Sequence, residues 1–307
     1  MKTNIDKLVK LKVMGQIHHP TSGGTRIDHK GVAFTEPGVG GIVYNFKIGD
    51  SCMGIAGDHV EPGVSLRNLK DNENWGLVRF ACIGNEAVVV SGDAKGAVGS
   101  VTGKHGGAYH TMIYFDEATL EKLEIDDKIS IKSYGQGLKL IDHKDVDVLN
   151  IDPWLFDALG ISENAGAVQV PYRLEVPAEL MGSGLGSNSM YDGDYDIMLS
   201  DEKETKRLGL DKLCFGDIVL IKDHYCGFGP VFQKGALTFG VIIHADCYTA
   251  GHGPGVTPIL TTRNGKLLGV KREDANIAKH IVPKISKRMK EVEAANEAAK
   301  KKPQKDE

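Results

Sequence analysis

The chain has 307 residues, 41% hydrophobic and 25% charged, with a net charge of −4 and a pI near 6.3. That length and apolar content predict a sizeable core in one large or two smaller domains. The acidic balance argues against nucleic acid as a partner, because gripping phosphates needs a basic surface. No apolar run reaches the roughly eighteen residues needed to span a membrane.

The N-terminus, MKTNIDKLVKLKVMG, lacks the apolar stretch of a secretory signal. Five cysteines, Cys52, Cys82, Cys214, Cys226 and Cys247, are odd in number and far apart. With no CxxC pair they read as buried thiols, and a cytoplasmic protein is expected. The 38 glycines with few aromatics suggest a turn-rich and strand-rich chain.

Residues 5–17 alternate as a first strand. The polar loop at 18–31 follows, with His18, His19 and His29. Gly40 to Phe46 reads as a strand, Lys47-Ile48-Gly49-Asp50 as a tight turn, and Cys52 to Ala56 leads into Asp58-His59-Val60-Glu61-Pro62-Gly63-Val64-Ser65. Residues 76–115 are expected to be mostly strand. Within them, SGDAKGAVGSVTGKHGG has glycines spaced as in the sharp bends of a KOW-type small barrel. Short helices are predicted at Asp116–Leu123 and at Asp152–Leu159, where Pro153 suits the first helical position and Gly160 the C-terminal end. Lys128–Lys132 reads as a strand and Val168–Val176 as extended.

The fold class expected is mainly β, a β-rich α+β arrangement of barrel-like and layered sheets with a few short helices. The organisation expected is a barrel-like domain at 1–150, a β-rich domain with the site at 151–283, and a Lys-rich tail at 284–307. The tail, with little apolar surface, reads as a solvated helix fraying into disorder.

Two patterns recur. LEKLEIDDKISI at 120–131 resembles LDKLCFGDIVLI at 210–221, and His59-Val-Glu-Pro62-Gly63-Val64-Ser65 resembles His252-Gly-Pro254-Gly255-Val256-Thr257. Either these are related β units or turns reusing Gly, Pro and Asp for backbone reasons. If they are related, the two histidine loops can converge.

The stretch TFGVIIHADCYTAGHGPGVTPILTT, residues 238–262, is the richest in chemistry. A buried strand over Phe239–Ile243 would run on to place His244 and Asp246, two apart, on one face. His252 returns after a short turn. His, Asp and His suit a divalent Zn, Mn, Fe or Ni ion, and bound water then becomes a nucleophile near neutral pH. No HExxH spacing supports this, and buried, hydrogen-bonded histidines are the ordinary alternative. Asp223 and His224, just past a strand, are expected to bind substrate or to orient His244, Asp246 and His252. Gly184, Gly186 and Ser187 in MGSGLGS are expected to cradle an anionic group, and His59 to join them. Asp192, Asp194 and Asp196 alternate as at the start of a calcium loop, but the required Gly and closing Glu are missing. A Ser-His-Asp hydrolase lacks its GxSxG elbow.

MGSGLGS, DGDYDIM, LDKLCFGDIVLIKDH and GVIIHADCYTAGHGPGVTPILT, with DHVEPGVSL upstream, resemble a bacterial and archaeal family known as domain of unknown function 4438. The likeness runs from about Val13 to Val270 and leaves out the lysine-rich tail. It implies a largely β fold and brings no established activity.

The function expected is therefore metal-assisted hydrolysis or lyase chemistry on a small polar metabolite, with His244, Asp246 and His252 as ligands or acid–base groups. The alternatives are a non-catalytic small-molecule or ion-binding protein, and an assembly protein whose glycine-rich loops pack against neighbouring subunits. A small-molecule ligand and a homo-oligomer are expected as partners.

Overall fold

The computed structural model describes residues 1–184, 189–264 and 266–300, and strand outweighs helix, 35% to 20%. Six antiparallel strands close into a barrel. They are β1 (Leu11–Ile17), β2 (Gly63–Arg67), β3 (Glu86–Val89), β4 (Val98–His105), β5 (His110–Tyr114) and β6 (Lys128–Ser133). The ring order is β1-β6-β3-β4-β5-β2, and β2 returns to β1 through Gln16↔Arg67 and Ile17↔Leu66. Inward side chains such as Ile17, Leu66, Val101, Ile113 and Ile131 fill it, so it is a packed core and not a pore.

The expectation of strand from residue 76 is corrected at its start. Asp71–Phe80 is helix α1, with Asp71 and Glu73 in its first turn, Arg79 in its last, and Asn74, Leu77 and Val78 buried. That charge order suits the helix dipole and that spacing gives one buried face. The helix closes one side of the barrel because Gly15 leaves room for it: a Cβ there would stand 2.7 Å from Leu77 Cδ2.

A second sheet takes the order β7-β12-β11-β10-β8, from β7 (Val146–Val148), β8 (Leu174–Pro177), β10 (Ile218–Tyr225), β11 (Val231–Ile242) and β12 (Gly255–Thr262). The short β9 (Tyr195–Asp196) pairs with the start of β12. All of β12 is buried. It is also tied to the barrel, since Thr257 Oγ1 accepts from Lys104 N at 3.3 Å and donates to Lys104 O at 3.1 Å. The Lys104 ammonium, fully buried, donates to Asn150 Oδ1 and Tyr191 O, both at 2.8 Å. Alternation along β4 then turns the next side chain, His105, the opposite way. A third sheet joins Ser162–Asn164, Ala167–Tyr172 and Leu267–Lys271.

The chain from Ala278 to Lys300 is one helix, α2. Its first turns are not solvated. Ile281 and Ile285 are buried, and Met289 packs against both hydrophobic clusters. Sparse apolar residues at 281, 285, 289 and 292 make a single stripe that overall composition conceals. Ile285→Ala should therefore destabilise the protein by about 3 kcal/mol in urea denaturation; a solvated position would show no more than about 0.5 kcal/mol. Among the described residues no helix is long and apolar enough to cross a membrane.

Candidate functional site

The site forms where the end of the barrel meets the start of β12. His59 and Glu61 lie just ahead of β2, His105 ends β4, and His110 begins β5 directly opposite it. Asp194 and Asp196 flank Tyr195 at β9 and share a face, and β9 pairs with Gly255 and Val256. His244 stands two residues past β11, and His252 lies in the loop into β12. Backbone bonds lock these pieces together: Ala245 N donates to Val60 O at 2.9 Å and His59 N to Asp246 O at 3.3 Å. His59 takes a left-handed φ of 54°, a costly conformation for a residue with a Cβ.

His244 is fully buried, and its Nδ1 lies 2.8 Å from Ala245 O, which can only accept. The Nδ1–H is thereby committed, and Nε2 is the atom left to take a proton or a ligand bond. That Nε2 stands 2.9 Å from Asp194 Oδ2 and 3.5 Å from Asp196 Oδ1. The first contact lacks hydrogen-bond alignment, and both Nε2 and Asp194 Oδ2 are buried without a hydrogen-bond partner. The other Asp194 oxygen accepts from Gly106 N at 2.7 Å. Two buried atoms this close and without a hydrogen-bond partner are costly unless a proton or a metal ion lies between them.

The neighbouring histidines extend the cluster. The His105 and His244 rings are 4.4 Å apart, and His59 stacks on His105 at 5.5 Å. His105 Nδ1 is 2.5 Å from Glu61 Oε1, leaving Nε2 as its remaining ligand atom. Glu61 also accepts from Ser65 Oγ and Gly40 N, and meets His110 Nδ1 at 2.9 Å; His110 Nε2 reaches His18 Nδ1 at 3.1 Å. His252 Nδ1 lies 2.9 Å from Asp196 Oδ2 and 3.2 Å from His59 Nε2. One ligand atom each from His59, His105 and His244 lie within 4.8 Å of one another, as do those of Asp194, Asp196 and His244.

The electrostatics demand positive charge here. Burial opposes charging His244, but Asp194 and Asp196 outweigh it and raise its pKa to about 10. Burial likewise opposes charging His59, and Asp196 and Asp58 raise its pKa to about 12. Burial pushes Asp196 up, but His244, His252 and His59 hold it well below the carboxylate range. His110 and His105 do the same for Glu61 against its complete burial. Protons or a metal ion must supply this charge.

A cavity of about 330 Å³ opens over the cluster. His59, His105, His110 and His252 form part of its lining, with Arg26 and Arg67 on its wall. Arg26 is held by Asp58 at 3.1 Å.

The residues expected at the site divide. His244, His252 and His59 come together. The strand stops at Ile242, however, so its alternation does not carry to Asp246. The Asp246 Oδ1 accepts from Cys247 N at 2.8 Å, and burial raises its pKa to about 6. Its place as a partner of His244 is taken by Asp194 and Asp196.

Asp223 sits at a bulge with φ 54° and accepts from Gly235 N at 2.7 Å. His224 stacks on Tyr195 at 5.0 Å, on the face of β9 opposite Asp194 and Asp196, and burial lowers its pKa to about 4. Neither touches the cluster among the described residues. Gly184 packs on the backbone at Asp194 and Tyr195, and the Gly182 N–H is spent on Asp196 O. These residues steady β9. Gly186 and Ser187 lie outside the described residues.

The DUF4438 N-terminal domain of unknown function matches residues 25–157 and the DUF4438 C-terminal domain matches 158–281. The chain belongs to the DUF4438 family. A solved structure described as "Crystal structure of TM1086" is 48% identical to this family member, with a TM-score of 0.88 over 92% of this chain and 99% of that one. No curated protein matches.

Sequence reasoning missed Glu61, His105, His110 and, as ligands, Asp194 and Asp196. Two signals were present: His59-Val-Glu61, and Asp194-Tyr-Asp196, each with the i, i+2 spacing that puts two polar groups on one face of extended chain.

Proposed function

We propose that this protein is a metal-dependent enzyme. One divalent transition ion, held by His244, Asp194, Asp196 and His105, would serve hydrolytic or lyase chemistry on a small polar molecule entering through the cavity. The supporting observation is the buried pair His244 Nε2 and Asp194 Oδ2, 2.9 Å apart and without hydrogen-bond partners. The nitrogen and oxygen donors suit Zn, Mn, Fe or Ni. Glu61 on His105 Nδ1 is the carboxylate support that metal-bound imidazoles use to fix their tautomer. An ion there would polarise a substrate oxygen or acidify a bound water. His252, its side chain 32% exposed, is the member of the cluster placed to meet substrate. Arg26 and Arg67 favour a substrate with an anionic group.

Elemental analysis of the purified protein tests the reading. At least one equivalent of transition metal is expected, with one equivalent lost in His244→Ala; a chain with none, bound or added, refutes it. A metal-binding protein without catalysis would share the ion but show no turnover in a screen of small esters, amides and hydroxy acids. The pH dependence has a definite sign. The ion displaces a proton that His244 holds up to about pH 10. Displacing it strengthens binding about tenfold per pH unit below that value. Calorimetric titration with Mn²⁺ should show the affinity rising steadily from pH 6 to 8, and a flat profile would count against these ligands.

A further inference from the structure

We propose that the cluster holds a second divalent ion, of the zinc class, between His59, His252 and Cys247, with the Asp196 carboxylate bridging it to the first. The inference rests on the single-ion reading above and adds a site to it.

Five observations carry it. One ligand atom each from His59, Cys247 and His252 lie within 4.8 Å of one another, a group that shares His59 with the His105–His244 group and nothing with the Asp194–Asp196–His244 group. Two nitrogens and a sulfur make a donor set that zinc-type ions favour. His59 Nδ1 meets Asp58 Oδ1 at 3.2 Å, so a carboxylate steadies this ring as Glu61 steadies His105, and Nε2 is left facing His252 Nδ1 at 3.2 Å.

Asp196 divides its two oxygens between the two groups. Oδ1 lies 3.5 Å from His244 Nε2, while Oδ2 lies 2.9 Å from His252 Nδ1 and 3.6 Å from His59 Nε2. That division leaves one oxygen for each ion, the arrangement a bridging carboxylate uses. Finally, the left-handed φ of 54° at His59 puts backbone strain at a residue of the second group. Cys247, buried beside it, accepts from Thr249 N at 3.3 Å and also meets the His59 ring and the Asp58 carboxylate.

Paired ions of this kind stabilise both the attacking and the leaving oxygen of a displacement. The second ion would lie toward the cavity, since His59 and His252 line it.

The test is reloading of the chelated full-length protein with Co²⁺, reading bound equivalents and the near-ultraviolet thiolate-to-cobalt absorption. Two equivalents and a thiolate band are expected. Cys247→Ser should abolish the band and leave one tightly held equivalent, and His252→Ala should likewise drop the stoichiometry from two to one. One equivalent with no band in the wild-type protein overturns the second site and leaves the single-ion reading standing. Two equivalents without a band, or with a band that survives Cys247→Ser, also overturn it. No bound cobalt overturns both readings together.

Discussion

Chelation should lower the melting temperature of the purified protein by on the order of 10 °C, and one divalent ion should restore it. An ion that binds only the folded state at a thousand times its dissociation constant stabilises by about 4 kcal/mol. For a chain of this size each kcal/mol is worth roughly 2–4 °C. The effect is expected to be large because the alternative is poor. Asp194, Asp196 and Glu61 are buried with His244 and His105, and without an ion only shared protons balance them. In His244→Ala the shift on chelation should be much smaller than in the wild type. A wild-type protein whose melting temperature moves by less than about 1 °C on chelation, against the several degrees expected per few kcal/mol, would contradict the account.

Gly255→Ala should remove metal binding although it removes no ligand. A Cβ on Gly255 would stand 2.1 Å from Asp194 Oδ2 and 2.3 Å from His244 Nε2. Those are bonding distances for a metal ion and far too short for a methyl group, so the added carbon would take the space between the two acceptors. A loss of metal affinity of at least about 100-fold is expected, the upper end of what disturbing an outer partner costs. Gly107→Ala is the control. Its Cβ would lie 3.7 Å from His105 Nε2, an ordinary contact, and metal content should be unchanged. If Gly255→Ala folds and binds metal as the wild type does, the position between Asp194 and His244 is not where the ion sits.

The mainly β character was legible because β-branched runs between glycines follow a strand period, and the helix at Pro153–Ala158 because Asp152, Pro153 and Gly160 are local signals. Closure of the barrel was less so, since the return of β2 to β1 joins residues some fifty apart with no local mark. α1 was hidden by Val78 and Phe80, which suit a strand until the barrel offers Leu77 a seat at Gly15. At the site, the sequence pointed to His244 and His252 because both belong to one dense stretch. It misplaced Asp246 by assuming the strand continued past Ile242. His105 was beyond local reading, because its approach to His244 depends on barrel strands meeting β12 through Lys104 and Thr257. His59 and His252, in the two similar His…Pro-Gly-Val loops, lie 3.2 Å apart.

The most direct measurement is an anomalous-difference map from crystals of the metal-loaded protein, collected above and below the absorption edge of the ion supplied. The account predicts a peak between His244 Nε2 and Asp194 Oδ2, present in the wild type and absent in Gly255→Ala. Stoichiometric ions located only elsewhere, or ordered density with no anomalous peak at that position after loading with Zn, Mn, Fe and Ni in turn, would contradict it.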